Sequence, residues 1–143
     1  MQPRSDSISE FKKLFASVQP KDFIPCVYCS APATDKEHVT PKSFIDLTRD
    51  MFAGGIKVSI PNEVLVDSCR ECNLLALDAF FSNLRAKKAY IKERFYRRYK
   101  KALVAKEWED SEIMELGENM RWQVFLYNQA IKSIKIRFKY LSK

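Results

Sequence analysis

The sequence predicts an α+β chain in which a small, cysteine-clipped core with short strands lies between an N-terminal helix and long C-terminal helices. Apolar residues recur at helical intervals near both ends of the chain, whereas prolines, short apolar stretches and a Gly-Gly pair fill the region between. All four cysteines form two CxxC pairs in that middle region. With 143 residues we expect a single domain, 1–143, comprising an N-terminal helix (1–20), a core (21–81) and a basic helical extension (82–143).

Three helical segments have separate signals. Ser7 and Glu10 have the capping-box spacing, and apolar residues then recur every three or four positions until Pro20. After Cys72 the apolar spacing predicts one long helix that ends near Val104. A last apolar stripe, with steps of four and three, comprises Met120, Val124, Tyr127, Ile131, Ile134, Phe138 and Leu141. This stripe is expected either to pack on the chain's own core or to form a homodimer interface.

Two short strands are expected between the first and second helical segments. Residues 60–66 include Val64, Leu65 and Val66 after a proline, which is typical of a strand. Residues 37–40 are the candidate antiparallel partner. The two strands would then lie between the cysteine pairs.

The chain is basic, and its charge is unevenly distributed. Lys and Arg number 25 against 18 Asp and Glu, and the net charge of +7 favours a polyanionic partner such as nucleic acid. Residues 85–101 contain nine basic residues and one acidic residue. Four of the basic residues share one side of the predicted helix: Lys87, Arg94, Arg97 and Lys101. They are expected to contact phosphates, and a merely solvated face is the alternative.

The cysteine spacing indicates a metal site. The N-terminus lacks the apolar run of a signal peptide and no stretch is long and apolar enough to span a membrane, so we expect an intracellular, cytoplasmic protein without a membrane partner. Cysteines seldom form disulfides in that compartment, and two CxxC knuckles can direct four thiolates at one structural Zn²⁺. The expected ligands are Cys26, Cys29, Cys69 and Cys72. Redox-active CxxC pairs are the alternative, although neither pair lies in a βαβ context.

A second set of chemically active side chains lies close to the knuckles in sequence. Glu37 precedes His38, the only histidine of the chain, and Asn73 directly follows Cys72. A zinc ion that joins the knuckles would bring Glu37 and Asn73 toward one site. Carboxylate and amide oxygens suit Mg²⁺ or Mn²⁺, and a histidine that titrates near neutral pH is suited to take a proton from water.

Together these residues resemble the HNH endonucleases, specifically the members with a zinc-clipped ββα-metal core. The resemblance covers about residues 26–81 and rests on the pattern CxxC, Glu-His, Asn, CxxC-Asn. It implies a ββα-metal fold and DNA as the substrate. It also implies His38 as general base, Glu37 and Asn73 as ligands of a catalytic Mg²⁺ or Mn²⁺, and Asn62 as the residue that braces the loop and orients the histidine.

Some positions depart from the family pattern. Glu37 stands where Asp is usual, Asn73 where many members have His, and Ala76 where a lysine is common. The resemblance implies a bacterial or phage-encoded enzyme that cleaves DNA. Because phosphate contacts do not depend on base identity and no second module for reading bases is evident in the sequence, we expect little sequence preference. Two other classes stay open: a noncatalytic zinc-stabilised DNA- or RNA-binding protein, and a structural protein that binds folded RNA.

Overall fold

The computed structural model of the protein describes residues 7–39, 65–76, 81 and 83–143. Asn62 and most of the predicted strand 60–66 lie outside these residues. The described elements are α1 (Ile8–Val18), β1 (Asp35–His38), β2 (Leu65–Ser68), α2 (Arg70–Ala76), α3 (Leu84–Val104), α4 (Asp110–Met114) and α5 (Glu118–Leu141). The described chain is therefore α+β, mostly helical, with one two-stranded antiparallel sheet.

The chain divides into two compact units. The first combines the N-terminal region up to Asp22 with Tyr99–Ile136, and the second combines Phe23–Arg98 with Arg137–Lys143. Helix α3 contains a non-helical residue, Tyr99 (φ −109°, ψ 20°), where this division falls. The basic extension expected over 82–143 is thus shared between the two units.

The first unit is organised around an aromatic core. Phe11 of α1 is buried with Ile113 of α4 and Phe125 of α5. The Phe11 ring also meets Trp122 edge-on, with centroids 5.3 Å apart. Asn128 is buried beside this core, and its amide pairs with both the N–H and the C=O of Trp108 at 2.8 and 3.0 Å. These contacts explain why α1 forms where its apolar spacing predicts it.

The capping box expected at the start of α1 is not formed. The Ser7 carbonyl accepts the N–H groups of Glu10 and Phe11, both at 3.1 Å, and the Ser7 hydroxyl makes no capping bond. A capping box occurs instead at α4, where Glu112 accepts the Glu109 N–H at 3.1 Å and the Glu109 side chain caps in return. Glutamate is long enough to reach back across the first turn, and its charge favours a helix start.

The second unit contains the sheet. Strands β1 and β2 pair antiparallel, with Glu37 opposite Val66 and His38 opposite Leu65. The antiparallel pairing predicted for these two segments is confirmed. The paired residues are 35–38 and 65–68, which are nearer to the cysteines in sequence than the predicted ranges 37–40 and 60–66. It continues past β1 because the Thr34 N–H donates to the Ser68 carbonyl at 3.0 Å. Strand β2 ends at Ser68, the residue directly before Cys69.

The prediction of a single long helix after Cys72 is wrong for the first part of that segment. Helix α2 ends at Ala76, and α3 begins at Leu84. Asn83 starts α3 as an N-cap, since its side-chain oxygen accepts the Ala86 N–H at 2.8 Å. Apolar periodicity does not reveal that a new helix begins at Leu84, because the spacing of three to four residues continues across this position. The predicted end near Val104 is confirmed.

Helix α5 confirms the last predicted helix, and its apolar stripe is only partly covered. Ile131 and Leu141 are buried, whereas Met120 and Tyr127 are 52% and 57% exposed. The stripe thus contributes to the chain's own core, and homodimer formation through α5 stays a prediction. None of the described helices combines the length and apolar content that a bilayer crossing requires.

Candidate metal centre and adjacent polar site

The four cysteine sulfurs meet in the second unit. They lie within 4.8 Å of one another, and all four residues are buried. The Cys29 and Cys69 sulfurs are 3.7 Å apart. A tetrahedral site with zinc–sulfur bonds of about 2.3 Å has sulfur–sulfur edges of about 3.8 Å, whereas a disulfide requires about 2.05 Å. The cysteines are free thiols in a cluster compatible with a structural zinc ion.

The first knuckle is a tight turn that is tied to the sheet. The Ser30 N–H donates to the Cys26 carbonyl at 3.0 Å, and Ser30 itself has a left-handed φ of 67°. That conformation lets the chain turn back so that Cys26 and Cys29 face the same point. The Val27 N–H donates to the Asp67 carbonyl of β2 at 2.9 Å. The knuckle therefore keeps its position relative to the strand that leads to the other cysteines.

The second knuckle forms at the junction of β2 and α2. The Cys72 N–H points at the Cys69 sulfur at 3.4 Å, and the Asn73 N–H donates to the Cys69 carbonyl at 3.1 Å. These bonds fold the CxxC segment into the first turn of α2. Strand, knuckle and helix thus follow one another without a spacer.

A side chain that the sequence did not single out, Arg137 of α5, contacts the cysteine cluster. Its Nε donates to the Cys29 sulfur at 3.4 Å, and its Nη2 lies 3.9 Å from the Cys69 sulfur. The same Nη2 forms an ion pair with Glu71 at 2.6 Å, and the guanidinium lies over the Phe95 ring at 4.9 Å. Arg137 is absent from both CxxC motifs and from the basic run, so no sequence signal connects it with the cluster.

These contacts alter the ionisation of the groups involved. Burial opposes the charge of Arg137, but its bonds to Cys29 and Glu71 outweigh burial and raise the pKa of Arg137 above its usual value. Although Cys26 has a raising effect, hydrogen bonds from Cys69, Cys72 and then Arg137 lower the pKa of Cys29 to about 6. The thiolate is the form of cysteine that binds metal.

Beside the cluster, Glu37 forms a buried ion pair with Lys87 of α3. The Lys87 Nζ lies 3.3 Å from Glu37 Oε1, and the two side chains are only 4% and 7% exposed. The same ammonium donates to the carbonyls of His38 at 3.0 Å and Val39 at 3.4 Å. Lys87 therefore fastens the end of β1 to α3. The sequence predicts Lys87 on an exposed phosphate-binding face, but the residue is buried.

The Glu37 site still has unused hydrogen-bonding capacity. Neither carboxylate oxygen of Glu37, nor the buried hydroxyl of Tyr28, has a hydrogen-bond partner of ordinary geometry among the described residues. Burial, reinforced by the Glu37 carboxylate, raises the pKa of Tyr28 above its usual value. The contact with Lys87 is a charge interaction rather than a directed hydrogen bond, so the Glu37 oxygens have lone pairs that the neighbouring Tyr28 hydroxyl, a water or a cation would satisfy.

The remaining predicted catalytic residues belong to the same unit. His38 is half-buried and follows Glu37 in β1, where consecutive side chains face opposite sides of the strand. Asn73 is half-buried in α2, directly after the second knuckle. Glu37 accepts no hydrogen bond from either residue. Asn62 lies outside the described residues.

The other three predicted phosphate-binding residues differ in their surroundings. Arg97 is exposed and pairs with Glu93 one turn away. Arg94 is half-buried and donates to the Tyr90 hydroxyl at 3.0 Å. Lys101 is exposed and belongs to the first unit. Helical spacing thus groups four residues with different surroundings. Only Arg94 and Arg97 both lie in the unit of the cysteines and make no contact of the kind that connects Lys87 to β1.

Comparison of the chain with protein-family models, with curated proteins and with solved structures finds no match.

We expect the protein to bind one zinc ion per chain and to lose it on Cys69→Ser substitution, because a hydroxyl cannot replace the fourth thiolate. The metal-free second unit should then unfold at lower temperature, since binding of the metal contributes to folding. Elemental analysis and thermal melting measure both effects. Val27→Ala, in the same region but not a ligand, is the control and should retain zinc. A Cys69→Ser protein with full zinc content and an unchanged melting curve contradicts the assignment.

We expect Lys87→Met to lower the free energy of unfolding by about 3–5 kcal/mol, because it leaves Glu37 as a buried charge without its partner. Urea unfolding of the zinc-loaded protein measures the loss. Adding Glu37→Gln to Lys87→Met should recover part of it by removing that charge. Lys88→Met, at the neighbouring half-buried position, is the control. Equal stability of the Lys87 and Lys88 variants refutes a stabilising role for the pair.

Proposed function

We propose that the protein is a metal-dependent endonuclease of the HNH type that hydrolyses phosphodiester bonds in DNA. The observation that carries this proposal is the connection between the Glu37-His38 pair and the cysteine cluster. The pair stands on β1, and the hydrogen-bonded partner strand β2 runs directly into the second knuckle and Asn73. This order of elements, with Glu37 and His38 on one strand and Asn73 directly after the knuckle that follows its partner strand, supports the proposal.

In this mechanism His38 is the general base. Its imidazole takes a proton from a water molecule, whose oxygen attacks phosphorus as the bond to the 3′ oxygen breaks in line with it. The 3′ oxygen leaves and acquires a proton from solvent. The half-buried position of His38 allows contact with a substrate, and the bond from Lys87 to the His38 carbonyl restrains the backbone that carries the base.

Glu37 and Asn73 are the residues that would hold a catalytic Mg²⁺ or Mn²⁺. When bound, such an ion neutralises charge that develops on the phosphate and on the leaving oxygen. The two Glu37 oxygens without hydrogen-bond partners among the described residues support this assignment. The Lys87 ammonium sets a condition, because the ion would have to share the carboxylate with it.

Contacts from α3 to the phosphate backbone would supply binding. Arg94 and Arg97 belong to the same unit as β1, and the helix carries nine basic residues against one acidic residue over 85–101. Contacts of this kind position a duplex without reading its bases. We therefore propose DNA as the partner, with low sequence specificity.

A noncatalytic zinc-stabilised nucleic-acid-binding protein is the second candidate, and the Glu37–Lys87 pair is the observation that favours it. The ammonium already balances the carboxylate charge in a buried pair, so the folded state does not require a divalent ion there. A plasmid-nicking assay with Mg²⁺ or Mn²⁺, with and without EDTA, separates the candidates. Metal-dependent nicking supports the nuclease, and binding without nicking supports the alternative.

We expect His38→Ala to reduce the DNA cleavage rate by roughly 10²- to 10⁴-fold, because it removes the general base. Zinc content and helical circular dichroism should stay at wild-type values, since His38 is outside the cysteine cluster. Lys36→Ala, an exposed position on the same strand, is the control and should cleave normally. Wild-type cleavage by the His38→Ala protein under metal-dependent conditions rules out this mechanism.

We expect replacement of Arg94 and Arg97 by Gln to weaken duplex binding on unrelated sequences and to flatten its salt dependence. Each lost phosphate contact lowers the slope of log affinity against log salt by about 0.9, so the pair should lower it by about 1.8. Labelled duplexes titrated against a His38→Ala background at several salt concentrations give the slopes. Lys101→Gln is measured separately because it lies in the other unit.

Arg85→Gln is the matched control for this measurement, since the helical repeat places Arg85 on the opposite side of α3 from Arg94. It is exposed, so its removal should not disturb folding. Slopes that are equal in the double variant, the control and the parent protein would show that this side of α3 is only solvated.

A further inference from the structure

We propose that Arg137 is a functional part of the zinc centre: it donates hydrogen bonds to the sulfurs of Cys29 and Cys69, makes them less nucleophilic, and slows the loss of the metal. This assignment is independent of nuclease activity. It concerns a residue at the far end of the chain that no cysteine motif includes.

The first argument is the geometry of one guanidinium. Its Nε faces the Cys29 sulfur at 3.4 Å, while its Nη2 lies 3.9 Å from the Cys69 sulfur and 2.6 Å from a Glu71 oxygen. Only arginine offers donors in a planar fork that can serve several acceptors at once. The two sulfurs belong to different knuckles, so Arg137 bridges the same two chain segments that the metal joins.

The second argument is that Arg137 is held in place. Its side chain is 15% exposed, and the guanidinium lies over the Phe95 ring at 4.9 Å. Glu71 in turn receives a second ion pair from Arg98 at 3.3 Å. The Arg137 side chain is already restrained by a carboxylate on one edge and by an aromatic face. Its hydrogen bonds to sulfur therefore cost little additional conformational entropy.

The third argument is the charge of the centre. Four thiolates around Zn²⁺ have a net charge of −2, which is costly to bury without a nearby cation. Arg137 brings a positive charge to the sulfurs, and Glu71 has Arg98 as well as Arg137 to balance it. Hydrogen bonds and positive charge withdraw electron density from sulfur. The bound thiolates should therefore react more slowly with protons, oxidants and alkylating agents.

The test uses the full zinc-loaded chain and measures zinc transfer to an excess of a chromophoric chelator under native conditions. We expect Arg137→Gln to release zinc about 10- to 100-fold faster, since loss of an outer-shell partner typically lowers metal affinity by that factor. The zinc release rate of Arg137→Lys should lie between those of the wild type and Arg137→Gln, because an ammonium keeps the charge but cannot bridge both sulfurs and Glu71. Arg85→Gln, the same substitution at an exposed position, should release zinc at the wild-type rate.

A second readout separates an effect on sulfur from a loosened fold. In Co²⁺-substituted protein the sulfur-to-cobalt charge-transfer bands should move to lower energy in Arg137→Gln, because electron-rich sulfur gives up an electron more easily. Wild-type release rates in Arg137→Gln overturn the proposal, and so does faster release with unshifted bands, which indicates a purely structural role. If Arg137→Gln fails to fold, Arg137→Lys decides: wild-type release and bands in that variant refute the bridging role.

No DNA is used in these measurements. Failure of the Arg137 proposal therefore leaves the proposed nuclease activity unaffected, and an inactive but zinc-retaining protein leaves the Arg137 proposal unaffected.

Discussion

Four buried sulfurs that share one small volume are the constraint around which the second unit is arranged. Among the described residues, the sheet of this unit consists of two strands of four residues, and a two-stranded sheet by itself is at best marginally stable in water. Each knuckle is connected to β2, the first through the Val27 N–H and the second through direct continuation of the chain into Cys69. A metal ion held by both knuckles would therefore also hold the strand register. That register determines where Glu37 and His38 stand.

Two ion pairs, one buried and one half-buried, connect helical residues of the second unit to its sheet and its cysteines. Lys87 of α3 reaches Glu37 and the carbonyl of His38, and Arg137 of α5 reaches Glu71 and the cysteine sulfurs. Paired buried charges contribute little net stability compared with apolar packing, but removing one partner is severely destabilising. Such pairs are well suited to fix which helix side faces the core. Each one here places a cation next to a candidate metal ligand, Glu37 in one case and the cysteine sulfurs in the other.

Glu37 has two possible roles that compete with each other. As a buried partner of Lys87 it is a structural residue, and as a carboxylate with unused lone pairs it is a candidate metal ligand. The two roles are compatible if the ammonium and a divalent ion share the carboxylate, since each oxygen has two lone pairs. The position of Lys87 also bears on the proposed binding of DNA, because one of the four cations expected to contact phosphates is buried beside Glu37. The electrostatic contribution of α3 then depends on fewer residues.

Local sequence patterns were sufficient for the cysteine cluster, for helices α1 and α5, and for the pairing of the segments that contain Glu37 and Val66. The helices follow from apolar spacings of three to four residues, and each knuckle follows from the two residues between its cysteines, which any single stretch of chain displays. The strand pairing was expected from the run Val64, Leu65 and Val66 after a proline. The roles of Lys87 and Arg137 were decided only by tertiary structure. Their contacts join residues 49 and 108 positions apart, and helical periodicity alone does not say which basic side chain of a face becomes buried. The restart of α3 at Leu84 was likewise decided by the Asn83 side chain, because a cap acts through one hydrogen bond that apolar spacing does not contain.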